Sequence, residues 1–96
     1  MIRRPLHRSD KNRGRIVKAL RDVGVKVYDL GEPVDLLCGY STRLFLLEVK
    51  DGERKPSERR LRPAQQAFFD EWRGFPVFKV ETIGEAFSAL GIEITA

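Results

Sequence analysis

Pro33-Val34-Asp35-Leu36-Leu37-Cys38-Gly39-Tyr40-Ser41-Thr42-Arg43-Leu44-Phe45-Leu46-Leu47-Glu48-Val49-Lys50 reads as two strands joined by a tight connection. Leu44 to Leu47 is an apolar run, and Glu48 and Lys50 interrupt it on either side of Val49. A strand buried on both faces is almost wholly apolar, and side chains two residues apart point to the same face. Two charges on one such face are costly unless they are paired or hold a metal. The preceding strand offers Asp35. A turn centred on Ser41-Thr42 pairs Tyr40 with Arg43, Gly39 with Leu44 and, further along, Asp35 with Glu48. Directly opposed residues in an antiparallel pair have Cβ atoms about 4.5–5.5 Å apart, so two carboxylates meet and repel. A divalent cation between them turns the repulsion into a site, because hard cations such as magnesium take oxygen ligands. Lys50 shares the face, one pleat further on. Two carboxylates and a lysine so arranged suit metal-assisted hydrolysis of a phosphodiester.

An aspartate followed on the next strand by Glu-x-Lys resembles the core of the PD-(D/E)XK nucleases. More narrowly, the chain resembles the small VRR-NUC-type nucleases, which occur as stand-alone phage proteins and as domains of repair enzymes. The likeness spans most of the sequence: Asp10 and Asn12 at the start of the first helix, the Asp35 strand, and Leu47-Glu48-Val49-Lys50-Asp51-Gly52. It continues through Leu61-Arg62-Pro63-Ala64-Gln65, Trp72-Arg73-Gly74 and a Val-rich strand. One departure is that Val34 separates Pro33 from Asp35, where the motif has Pro-Asp. The resemblance implies a restriction-endonuclease-like α/β core, with Mg2+ or Mn2+ held by Asp35, Glu48 and the Val49 carbonyl. It also implies that Asp10 borders the metal and that Gln65 lies near Lys50 and helps to position the lysine or a water. Stand-alone relatives look like homodimers that cut branched DNA.

The 96 residues are expected to form a single domain. With 42% hydrophobic and 33% charged residues, they read as a charge-rich globular chain. No apolar run is long enough to cross a bilayer, and the basic start at 1–5 lacks the apolar stretch of a secretory signal. The single cysteine, Cys38, excludes an internal disulfide and suits a reducing cytoplasm. By alternation it points away from Asp35 and reads as a small core residue rather than a nucleophile. The net charge of +4 is unevenly spread: residues 1–21 hold eight Lys or Arg and one acid, Asp10. A second basic cluster, Arg54, Lys55, Arg59, Arg60 and Arg62, follows the Glu-x-Lys strand. Basic patches are the electrostatic footprint of a polyanion. The 54–62 cluster adjoins the expected metal site and reads as a phosphate contact. For the N-terminal cations, including Lys11, Arg13 and Arg15, DNA contact and an ordinary solvated face both fit.

Residues 1–9 read as a basic, mobile arm. It carries His7, the one histidine, so a His-based metal site or a Ser-His-Asp triad is set aside. Ser9 or Asp10 caps a helix reaching Val23, with Ile16, Val17, Leu20 and Val23 as its apolar stripe and Gly24 as its stop. A strand over 25–30 precedes the hairpin, and 53–62 reads as an unstructured basic loop. Pro63 opens a helix in which Gln65, Phe68, Phe69 and Trp72 form one stripe turned to the core. A strand over 76–80 leads to a capping box, Thr82 to Glu85. The helix it opens buries Ile83, Ala86, Phe87 and Leu90. The tail from 92 to 96 adds a short edge strand. The expected order is α-β-β-β-α-β-α, a mixed sheet flanked by helices. The leading expectation is a Mg2+- or Mn2+-dependent DNA endonuclease acting on branched or duplex DNA. Asp35, Glu48, Lys50 and Gln65 form its catalytic group. The rivals are a non-catalytic member of the same fold that binds DNA or proteins, and a structural α/β protein with a chance Glu-x-Lys.

Overall fold

The described residues form α1 (Arg8–Asp22), β1 (Lys26–Asp29), β2 (Leu36–Tyr40), β3 (Arg43–Val49), α2 (Pro56–Arg59), α3 (Pro63–Glu71), β4 (Val77–Val80) and α4 (Ile83–Ala89). The computed structural model describes residues 8–93, with side chains from residue 11 onward. The hairpin turn fixes the centre of the fold. Ser41 and Thr42 both have positive φ, 53° and 63°, as a two-residue type I′ turn requires. β2 and β3 leave it paired Tyr40 with Arg43, Gly39 with Leu44 and Leu36 with Leu47, which is the expected register. β1 pairs antiparallel with β2. β4 lies parallel to β3, with Glu48 opposite Lys79. A parallel return needs a crossover, and residues 50–76 supply it, carrying α2 and α3. The result is a mixed sheet in the order β1-β2-β3-β4.

One face of the sheet carries the core. Phe45, Leu47 and Val49 of β3 and Leu36 and Cys38 of β2 pack there against Ile16 and Leu20 of α1 and Ala86 of α4, with Val80 and Leu90 closing the cluster. α1 ends in a Schellman arrangement: the Gly24 amide donates to the Arg21 carbonyl and the Val25 amide to the Leu20 carbonyl, both at 3.0 Å. Gly24 has φ 91°, where a side chain would strain the turn. α4 is capped by Thr82, whose hydroxyl accepts from the Glu85 amide at 3.0 Å. The Glu85 carboxylate reaches back to the Glu81 amide at 2.7 Å.

Several expectations are corrected. α1 is already helical at Arg8, so Ser9 and Asp10 fall inside it rather than capping it. Residues 1–7 and the side chain of Asp10 lie outside the described residues, and with them His7 and the expected arm. Val23 and Ile83 are exposed, at the margins of their helical stripes. The 53–62 loop contains a short extra helix, α2, so the order is α-β-β-β-α-α-β-α. Residues 92 and 93 form no strand, and 94–96 lie outside the described residues.

The largest correction concerns α3. Of its residues only Gln65 is buried. Phe68 and Phe69 are half-buried, and Trp72 is 41% exposed. The rings gather on one another instead of entering the core: Phe68 stacks on Trp72 with centroids 5.4 Å apart, and Trp72 meets Phe75 at 5.5 Å. Helical periodicity put these side chains on one side of the helix correctly, but among the described residues that side is covered only in part.

Candidate active site

The far ends of β2 and β3 bring the charges of the hairpin together. Asp35 lies just before β2, opposite Glu48 by continuation of the register. Both are buried. Each carboxylate is oriented by the other strand's backbone. The Val49 amide donates to Asp35 Oδ2 at 2.9 Å, and the Asp35 amide donates to Glu48 Oε1 at 3.1 Å. These reciprocal bonds lock the two strand ends together and aim both acids at one place.

Lys50 completes the group. Its Nζ lies 3.1 Å from Glu48 Oε2 and donates to Gln65 Oε1 at 3.2 Å. Gln65 Oε1 also accepts from the Arg62 amide at 3.1 Å, which ties the start of α3 to the lysine. That explains why Gln65 alone of α3 is buried: its carbonyl serves two donors at a junction between helix and strand. The structure therefore brings Asp35, Glu48, Lys50 and Gln65 together.

Burial pushes the Glu48 carboxyl above the usual glutamate range. The neighbouring Asp35 charge adds to the rise, while hydrogen bonding from Gln65 and the charge of Lys50 oppose it. On the other face of the sheet, burial raises the Cys38 thiol to about 11. Cys38 is wholly buried and is a core residue, not a nucleophile.

Two neighbours of the site come from α1. The Asn12 side-chain amide donates to the Lys50 carbonyl at 2.9 Å and to the Glu81 carbonyl at 3.1 Å. Asn12 thus clamps the ends of β3 and β4 beneath the helix. The next residue, Arg13, places Nη1 3.7 Å from Asp35 Oδ1. It was expected among the cations of the surface, yet its side chain is mostly buried against the aspartate.

The basic cluster is divided. Arg59 is held by Glu81 at 3.5 Å, and Lys79 donates to the Arg59 carbonyl at 3.2 Å, which fastens α2 to the end of β4. Arg54 pairs with Glu58 at 3.7 Å, and Arg62 reaches Glu32 at 4.0 Å in solvent. Lys55 and Arg60 are exposed and have no ion pair among the described residues, as do Lys11 and Arg15 on α1. Sequence reasoning missed Glu81 and Lys79. The available signal was the parallel pairing of β4 beside Glu48 and Lys50, which puts both residues near the same strand ends.

Among the described residues no group of three or more His, Cys, Asp or Glu side chains gathers as a metal centre. The acidic site is the Asp35 and Glu48 pair. Comparison of the chain with protein-family models, curated proteins and solved structures finds no match, so the reading of this site rests on its own geometry.

Proposed function

We propose that the protein is a metal-dependent DNA endonuclease of the restriction-endonuclease-like, VRR-NUC kind. The single observation that carries this reading is the meeting of two buried carboxylates from adjacent strand ends, with Lys50 bridging Glu48 to Gln65. The donor set suits a hard cation. A carboxylate oxygen has two acceptor positions, so the backbone bonds that orient Asp35 and Glu48 leave further lone pairs. A cation would also relieve the repulsion that helps to raise the Glu48 carboxyl. Asp35, Glu48 and the Val49 carbonyl would hold Mg2+ or Mn2+, which supplies an activated water and shields charge on the scissile phosphate. Lys50 orients the attacking water or offsets phosphate charge, and Gln65 fixes the lysine. Lys55 and Arg60, with Lys11 and Arg15, supply exposed cations for the DNA backbone.

A second copy of the chain is part of this reading. Leu44, Phe75 and Trp72 are 65%, 63% and 41% exposed. The Trp72 and Phe75 rings meet edge to face. Such an apolar surface suits self-association.

The non-catalytic reading also has an observation in its favour. The two acids already have internal partners, Arg13 for Asp35 and Lys50 for Glu48, so the cluster is able to stand as a structural one. Incubation of plasmid, plain duplex and branched DNA with Mg2+ or Mn2+ separates the two. Cleavage by the wild type that is lost in Asp35→Asn is the expected result. DNA binding without cleavage of any substrate would establish the binder instead.

A further inference from the structure

We propose that Arg13 is a resident counter-ion of the carboxylate pair and that a divalent cation binding there displaces its guanidinium. This rests on the metal-dependent reading above. Asp35 Oδ2 accepts from the Val49 amide, and Oδ1 faces Arg13 Nη1 at 3.7 Å. The side chains of Arg13 and Asp35 are 13% and 10% exposed, so water screens the pair poorly. The guanidinium stays charged at any ordinary pH. It cannot leave by losing a proton, and it repels a second cation at the same oxygen. It leaves by moving.

The surroundings hold the backbone still. Asn12, one residue earlier, is pinned to the carbonyls of Lys50 and Glu81. Ile16, one turn later, is fully buried in the core. The α1 backbone is therefore fixed relative to Asp35, and any displacement of the guanidinium falls to the arginine side chain. In the metal-free protein the guanidinium offsets part of the cost of burying the Asp35 charge. Its displacement is a penalty that every incoming metal ion must overcome, so metal affinity is held below what the two carboxylates alone would give.

Mn2+ alone is titrated calorimetrically into the wild type, Arg13→Gln and Arg13→Lys, and the melting temperature of each metal-free protein is recorded. Arg13→Gln is expected to bind Mn2+ about tenfold more tightly or better, equivalent to roughly 1.4 kcal/mol, and to melt lower without metal. Arg13→Lys keeps the charge and is expected to stay near the wild type. Equal or weaker Mn2+ binding by a folded Arg13→Gln overturns the proposal and leaves the metal site standing. Absence of Mn2+ binding in both the wild type and Arg13→Gln overturns the metal-dependent reading as well. The wild type offers a measurement that no folding defect disturbs: the Arg13 Nε–H resonance should shift and lose exchange protection as Mg2+ is added. A resonance unchanged at saturating Mg2+ would show that the guanidinium stays in place and would sink the idea.

Discussion

On β3, Phe45, Leu47 and Val49 enter the core beneath α1 and α4, whereas Leu44, Leu46 and Glu48, each one residue out of step, face the other way. From Phe45 to Val49 the covered face is apolar. The other face changes character along its length. At the turn end Leu44 is exposed, and at the opposite end Glu48 and Asp35 are buried. A period of two lets one strand pack a core on one side and hold a buried charged cluster on the other. Buried charge is tolerated only where partners converge: backbone amides from the facing strand, Lys50, Gln65 and Arg13. Four residues towards the turn those partners are gone, and an apolar side chain is left in solvent.

Removing Lys50 strikes the chemical end hardest. Lys50→Ala is expected to cut the single-turnover cleavage rate by about 10²–10⁴, the usual range for a positioned catalytic group. Mn2+ and DNA affinities should change far less, because in the proposed mechanism the lysine acts on the transition state rather than the ground state. Measuring all three on one protein decides the point. Loss of DNA binding in proportion to the rate would identify Lys50 as a phosphate anchor.

The contrast between the faces is broken most directly with a matched pair of leucines. Leu47 is fully buried and Leu44 is 65% exposed. Leu47→Ala should cost about 2–5 kcal/mol in urea unfolding, as lost transfer energy and a residual cavity predict. Leu44→Ser should stay within about 0.5 kcal/mol and should instead weaken self-association in sedimentation. A large stability loss at Leu44 would mean that the open face is part of the monomer's core.

The basic residues near the chemical end also divide into two kinds, those already paired and those facing solvent. Neutralising Lys55 and Arg60 together should weaken DNA binding and reduce the salt slope by about two, since each phosphate contact releases roughly one counterion. Arg59→Gln should act mainly by loosening α2, because Arg59 is held by Glu81. A salt slope untouched by the Lys55 and Arg60 changes would make those cations a solvated surface.

The smallest expected effect is on stability and its pH dependence. The folded state raises the Glu48 carboxyl above its unfolded value. Between the two values the folded protein binds more protons than the unfolded chain, so this contribution is fully present below the unfolded value. It is lost as pH rises through the folded one. Glu48→Gln removes that dependence. Its melting temperature should equal or exceed the wild type's at neutral pH without metal, with the gap closing as the solution is acidified. Asp35→Asn should behave oppositely, because it strips Arg13 of a buried partner. A Glu48→Gln protein that melts lower at neutral pH would show that the Lys50 ion pair outweighs burial and the Asp35 charge.

By itself the sequence determined the hairpin, its register and the membership of the acidic group. Those follow from a two-residue turn and from alternation along strands, and both are local: once Tyr40 pairs with Arg43, Asp35 must meet Glu48. The Thr82 cap and the inward place of Cys38 are local in the same sense. Other features belong to the tertiary structure. Whether Arg13 faces solvent or Asp35 depends on where α1 crosses the strand ends, which no spacing along the chain records. Whether Phe68, Phe69 and Trp72 are buried depends on what lies against α3. Helical periodicity states which side chains share a side; only packing decides whether that side is covered, and here Gln65 goes inside while Trp72 and Phe75 stay out.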